Sequence, residues 1–182
     1  MTAEPLERAL DRHEHLMEPA GFPGSGRLVL RAARESDLPE LCRLDEEVFQ
    51  EVAYPAFLLR QLYDMYAEHL LVIDEGEGRL RGYVLAATTA LSRDSWILGL
   101  CVTRDRRRHG LGRELMTEVL ARLRRDGIEQ VRLTVEPANR AAILLYRSLG
   151  FRPEQPDDGL RRDYFGPGLD RRILRLELPR DR

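Results

Sequence analysis

The sequence predicts a mixed α/β fold: a central mixed sheet with helices on both faces. Three observations predict it. Strand-type apolar runs recur seven times along the 182 residues, and four helix-type periodic segments separate them in the order β-α-α-β-β-β-α-β-α-β-β. The connections carry Gly and Pro where periodic structure must stop. Hydrophobic residues at 43% and charged residues at 33% suit a chain of domain size that buries one core.

The elements follow in order. "EPLERALDRHEHLM" (4–17) has helical spacing, and "EPAGFPGSG" after it reads as a linker, so residues 1–26 are expected to be an N-terminal arm. Residues 27–182 are expected to form a single domain. "RLVLRAA" (27–33) alternates as a strand. In "SDLPELCRLDEEVF", Asp37 is placed to cap a helix, Pro39 suits its first turn and Glu40 would complete a capping box. A second helix begins near Pro55. "LLVIDEGEGRLRGYVLAAT" gives two strands around a Gly-containing turn. "SWILGLCV" is a strand apolar on both faces, which predicts a central position. Leu111–Arg125 is a helix with Leu111, Leu115, Val119 and Leu123 on one stripe. "QVRLTV" is a strand, Ala138–Leu149 a helix closed by Gly150, and "FRPE" and "RRILRLEL" the last strands.

Composition excludes several function classes. The net charge is −2, against the basic balance of a dedicated nucleic-acid binder, so no nucleic-acid partner is expected. All 29 basic residues are arginine, which removes lysine chemistry altogether. Cys42 and Cys101 form no CxxC pair and the four histidines are scattered, so no metal site is expected. The N-terminus has no apolar signal core and no run approaches a membrane span, which predicts a cytoplasmic protein without membrane contact.

The chemistry concentrates in "RDRRRHGLGREL" (104–115), between a strand and a helix. Helix N-termini leave backbone N–H groups without partners, and glycines let the chain curl so that several of them face one anion. Candidate phosphate-binding residues are Arg107, Arg108, His109, Gly110, Leu111, Gly112 and Arg113, with Arg104 and Arg106 as solvated charge. A nucleotide P-loop is excluded by the missing lysine. A dinucleotide fingerprint is excluded by Arg113–Leu115 after Gly112. A capped turn with solvated arginines accounts for the loop equally well when it is taken alone.

A second motif lies downstream in "LTVEPANRAAILLYRSLGF" (133–151), where Asn139, Ala142 and Tyr146 recur at spacing that places them on one helix face. Arg107-x-x-Gly110-x-Gly112 followed by Asn139, Ala142, Tyr146, Gly150 and Phe151 resembles the two signatures of the GNAT superfamily of acyl-CoA-dependent N-acyltransferases. The resemblance covers roughly residues 27–178. It implies a mixed, mostly antiparallel sheet splayed between two strands, with acetyl-CoA in the gap, its pantetheine along Leu100–Val102 and its pyrophosphate on the glycine loop. Asn139 would face the cofactor. Tyr146 would be the general acid for the departing thiolate, because a phenol pKa near 10 is matched to an alkyl thiol. The position that often carries the base in N-terminal acetyltransferases of this superfamily is here Thr134. Glu136, a water chain, or Glu47 or Glu51 are the alternatives. Cys101 is expected to be a buried structural cysteine rather than an acyl carrier.

The segment "DEEVFQEVAYP" would shape the acceptor site, with Glu47 and Tyr54 suited to a cationic amine. Tyr164, Phe165 and Asp170 resemble the tail that helps hold the peptide N-terminus in protein N-terminal acetyltransferases. The function implied is acetyl transfer from acetyl-CoA to a primary amine, such as a peptide N-terminus, by direct transfer in a monomer or homodimer. A small-molecule amine or polyamine as acceptor, and a non-catalytic acyl-CoA sensor, are the competing readings.

Overall fold

The computed structural model describes residues 15–16, 28–89 and 93–179. Its strands are β1 (His15–Leu16), β2 (Val29–Ala32), β3 (Leu70–Asp74), β4 (Leu80–Thr88), β5 (Asp94–Val102), β6 (Gln130–Val135), β7 (Arg152–Pro153), β8 (Leu160–Arg161) and β9 (Arg171–Glu177). Its α-helices are α1 (Leu38–Phe49), α2 (Ala56–Tyr66), α3 (Leu111–Arg125) and α4 (Arg140–Ser148). The expected order is therefore present, with β1 and β8 as short additions. The helix expected over 4–17 lies outside the described residues except at His15 and Leu16, which pair with Leu30 and Val29 as a strand instead.

The chain divides into two compact units, Met1–Leu85 with Gly99–Val119, and Ala86–Leu98 with Leu120–Arg182. In the first unit β1, β2, β3 and β4 pair in sequence order, all antiparallel. Thr103 N–H, just past β5, donates to the Arg81 carbonyl of β4 at 2.9 Å. β2, β3 and β4 are rich in Leu, Val and Ile, and Leu30, Leu71, Val72, Ile73 and Leu85 are all buried. α1 contributes Leu41 and Leu44 to this core and α2 contributes Leu59, each with no exposure. A side chain of that size contributes about 1.5–3 kcal/mol when fully buried.

In the second unit β5 runs parallel to β6 from Asp94↔Gln130 to Ile97↔Leu133. β6 pairs antiparallel with β9 over its whole length, and β7 and β8 join β9. Gly99–Val102 lie beyond the last β5–β6 register pair. Arg132 on β6 bonds Asp94 at 3.1 Å and Glu154 at 3.2 Å, and stacks over Trp96.

Two expectations are corrected. Asp37 does not cap α1 with its side chain. Its carboxylate is buried and is held instead by the Arg31 guanidinium at 2.6 and 2.9 Å and by the Arg34 N–H at 2.7 Å. A nearby buried arginine outcompetes a helix terminus for a carboxylate, because the pair would otherwise carry two desolvated charges. Pro39 does stand at the start of α1, as expected. β5 is not equally buried on both faces: Ser95, Ile97, Gly99 and Cys101 are buried, whereas Trp96, Leu98, Leu100 and Val102 are partly exposed. Apolar composition alone does not distinguish a two-sided core strand from one that keeps an apolar face open.

Candidate active site

The glycine loop leaves β5 at Val102, makes a short 3-10 turn over Arg104–Arg106 and enters α3 at Leu111. Arg108 has φ +66° and Gly110 has φ +85°. Two left-handed residues so close together curl the backbone, and nothing lies within 4 Å of where a Cβ on Gly110 would sit. Arg113 and Glu114 N–H both close on the Gly110 carbonyl, at 2.8 and 3.1 Å. The N–H groups that precede them in the first turn of α3 have no acceptor within the helix. Negative charge is favoured there by the helix dipole as well. The side of α3 that anchors the loop is the expected stripe: Leu111, Leu115 and Val119 are buried in the first unit.

The arginines divide differently from the sequence expectation. Arg104, Arg107, Arg108 and Arg113 are exposed, as is His109. The Arg107 Nε donates to the Val102 carbonyl at 3.1 Å, so this side chain turns back to the end of β5. Arg106 is not solvated charge: its side chain is 15% exposed and pairs with Glu75, which also binds Arg81. Burial alone would push the Glu75 carboxyl up, but Arg81 and Arg106 together hold it below the usual range. Glu75 thus ties the β3–β4 turn to the first turn of the loop. Leu100 and Val102, the expected pantetheine strand, present partly exposed side chains.

Asn139 stands at the N-cap of α4, where its Oδ1 accepts the Ala142 N–H at 3.1 Å. The spacing to Ala142 therefore has a second physical reason, that of an asparagine cap. Tyr146 is 7% exposed and packs on Phe151 with ring centroids 5.9 Å apart. Burial pushes its hydroxyl up to about 12, above the value near 10 expected from the sequence, so it is a weaker acid than that match assumes and keeps its proton at neutral pH. Thr134 lies within β6 opposite Ile173. Glu136, just after β6, is exposed.

In the acceptor segment Glu47 is exposed and its carboxylate is paired with Arg43 at 2.7 Å. Tyr54 is partly buried, and its backbone N–H donates to Asp45. Tyr164 and Phe165 are exposed at 41% and 54% on the turn before β9 and pack edge to face. That turn is organised by Asp163, which binds the Gly168 N–H, and by Asp170, which binds the Asp163 N–H. Arg171 lies over the Phe165 ring at 4.8 Å. Cys101 is buried beside Tyr83, and burial raises its thiol far above the thiolate range, which disfavours a nucleophilic role. Among the described residues no cluster of His, Cys, Asp and Glu could hold a metal ion, and no helix is long and apolar enough to cross a membrane.

Sequence reasoning did not single out Glu75, Tyr83 or Gly99. A glycine inside an apolar strand is a signal of close approach that could have pointed to Gly99.

The ribosomal protein bS18-alanine N-acetyltransferase of Escherichia coli K12 is 34% identical over 80 residues, 44% of this chain and 51% of that protein. The chain thus matches about half the length of that relative. A mycothiol acetyltransferase of Thermobispora bispora is 53% identical over 47 residues, 26% of this chain and 16% of that protein. Among solved structures, that of the NatC complex bound to Gag peptide and CoA superposes with a TM-score of 0.73 at 20% identity, over 84% of this chain and 99% of that one. The acetyltransferase (GNAT) family model matches residues 38–151, well over half of the chain, and the chain belongs to that family.

Proposed function

We propose that this protein is an acetyl-CoA-dependent N-acetyltransferase whose acceptor is a peptide or protein α-amine. The observation that carries the reading is the loop from Arg107 to Arg113: a left-handed Arg108 and Gly110 deliver the backbone into the N-terminus of α3 at the end of β5. That arrangement fits a pyrophosphate, because backbone N–H groups and a helix dipole meet the charge without lysine. Acetyl-CoA supplies an acyl thioester when bound. Arg108, Gly110, Leu111 and Gly112 hold the pyrophosphate through the backbone, with Arg113 as added charge. Leu100 and Val102 offer the strand edge for pantetheine, and a backbone N–H there polarises the carbonyl. Tyr146 holds the proton that the departing sulfur takes. Glu136, or a water it orders, relieves the amine of its proton. Glu47 bears on this chemistry less than its charge suggests, since Arg43 already neutralises it.

The α-amine acceptor is supported by the relative named as a ribosomal protein bS18-alanine N-acetyltransferase and by the similar fold of a complex bound to Gag peptide. The exposed Tyr164–Phe165 pair on a preorganised turn supports it too. A small-molecule amine is the second reading, favoured by the local identity to a mycothiol acetyltransferase. A panel of peptides with different first residues, set against a panel of amine metabolites, separates the two by free CoA release. Turnover of peptides with a free α-amine, and none when that amine is blocked, is the expected result. Faster turnover of small amines than of every peptide would replace this reading with the second.

A further inference from the structure

Asp45 is a carboxylate with no exposure, on α1 within the proposed acceptor segment, and the chemistry above does not use it. Burying a carboxylate is costly unless donors meet it. Both oxygens are met. The Tyr83 hydroxyl donates to Oδ1, and the Tyr54 backbone N–H donates to Oδ2 at 2.6 Å. Tyr83 is itself fully buried on β4. A Cβ on Gly99 of β5 would lie 2.8 Å from its hydroxyl, so only glycine leaves the room this contact needs. One carboxylate therefore joins α1, the far end of the α1–α2 connection and, through Tyr83, the strand that continues into Leu100–Val102. The connection is tightly turned as well, with Gln50 at φ +49°.

We infer that Asp45 is a positioning residue for the acceptor: the Asp45–Tyr83 pair seats Tyr54 and its connection over the strand that carries the acyl donor. The inference rests on the reading that this connection receives the acceptor. A direct base role does not fit, because both oxygens are occupied and no amine can reach a group with no exposure. A role in stability alone would leave acceptor kinetics untouched.

The test uses the full chain as Asp45→Asn and Tyr83→Phe, with acetyl-CoA and an alanine-terminated peptide, or whichever amine the wild type turns over fastest. The expected result is an acceptor KM raised about tenfold in Asp45→Asn and about threefold in Tyr83→Phe. The KM for acetyl-CoA should stay within about twofold. Hydrogen exchange at the Tyr54 amide should quicken in Asp45→Asn. If Asp45→Asn fails to fold, the Tyr83→Phe kinetics decide. A lowered Tm with an unchanged acceptor KM would overturn the inference and leave the proposed function standing. A wild type that turns over no amine would overturn the proposed function, and the positioning role with it.

Discussion

The glycine loop and the α1–α2 connection solve the same problem, holding irregular backbone beside a strand, by opposite means. The loop is shaped by backbone dihedrals at Arg108 and Gly110 and leaves most of its arginines in solvent. The connection is held by a buried side-chain network, with Asp45 between Tyr54 and Tyr83. Backbone geometry suits a ligand that presents the same anion every time. A side-chain network can be retuned residue by residue, which suits a site whose partner differs among relatives. The loop should therefore depend more on backbone conformation than on its exposed arginines, and the connection more on its buried side chains.

Single substitutions test that contrast. The largest expected effect lies outside both regions and sets the scale. Tyr146→Phe should lower turnover about a hundredfold while acetyl-CoA affinity, read by calorimetry, holds. Its pH behaviour has a definite sign. Burial raises the Tyr146 hydroxyl to about 12 in the folded chain. The native state therefore retains a proton that the unfolded state loses near pH 10, and stability falls as pH rises through that window. Denaturant titrations between pH 10 and 12 should show a shallower fall in Tyr146→Phe.

Within the loop, Gly110→Val forces a β-branched residue to φ +85° and should weaken acetyl-CoA binding about tenfold. Next comes Glu75→Gln, which removes the nearer of two carboxylates, Glu75 and Asp105, that Arg81 and Arg106 share. A loss of about fivefold in acetyl-CoA affinity, with a lower Tm, is expected from calorimetry and thermal melts. Smallest is Arg104→Ala, where affinity should change less than about twofold. If Arg104→Ala matched Gly110→Val, charge and not backbone would hold the anion.

The loop was legible in the sequence because its determinants are local. Gly110, Gly112 and the apolar stripe of α3 lie within fifteen residues, and each signals by its own identity. The connection was legible only as acidic and aromatic composition. Asp45 and Tyr83 are 38 residues apart, and nothing in either neighbourhood marks them as partners. Asp37 misled for a related reason: a capping residue and a buried ion-pair partner look alike until Arg31 is brought beside it. Asn139 carried a motif position and a helix cap in one residue, and only the structure separates the two. Arg106 looked like surface charge because its partner, Glu75, comes from a different turn.

The most direct measurement is free thiol release when the full chain is mixed with acetyl-CoA, with and without an alanine-terminated peptide, followed by mass analysis of that peptide. Thiol release that depends on the peptide, one acetyl group on its α-amine, and loss of both in Tyr146→Phe are the expected results. Tight acetyl-CoA binding without amine-dependent release would contradict it, and would make the protein an acyl-CoA sensor on a transferase fold.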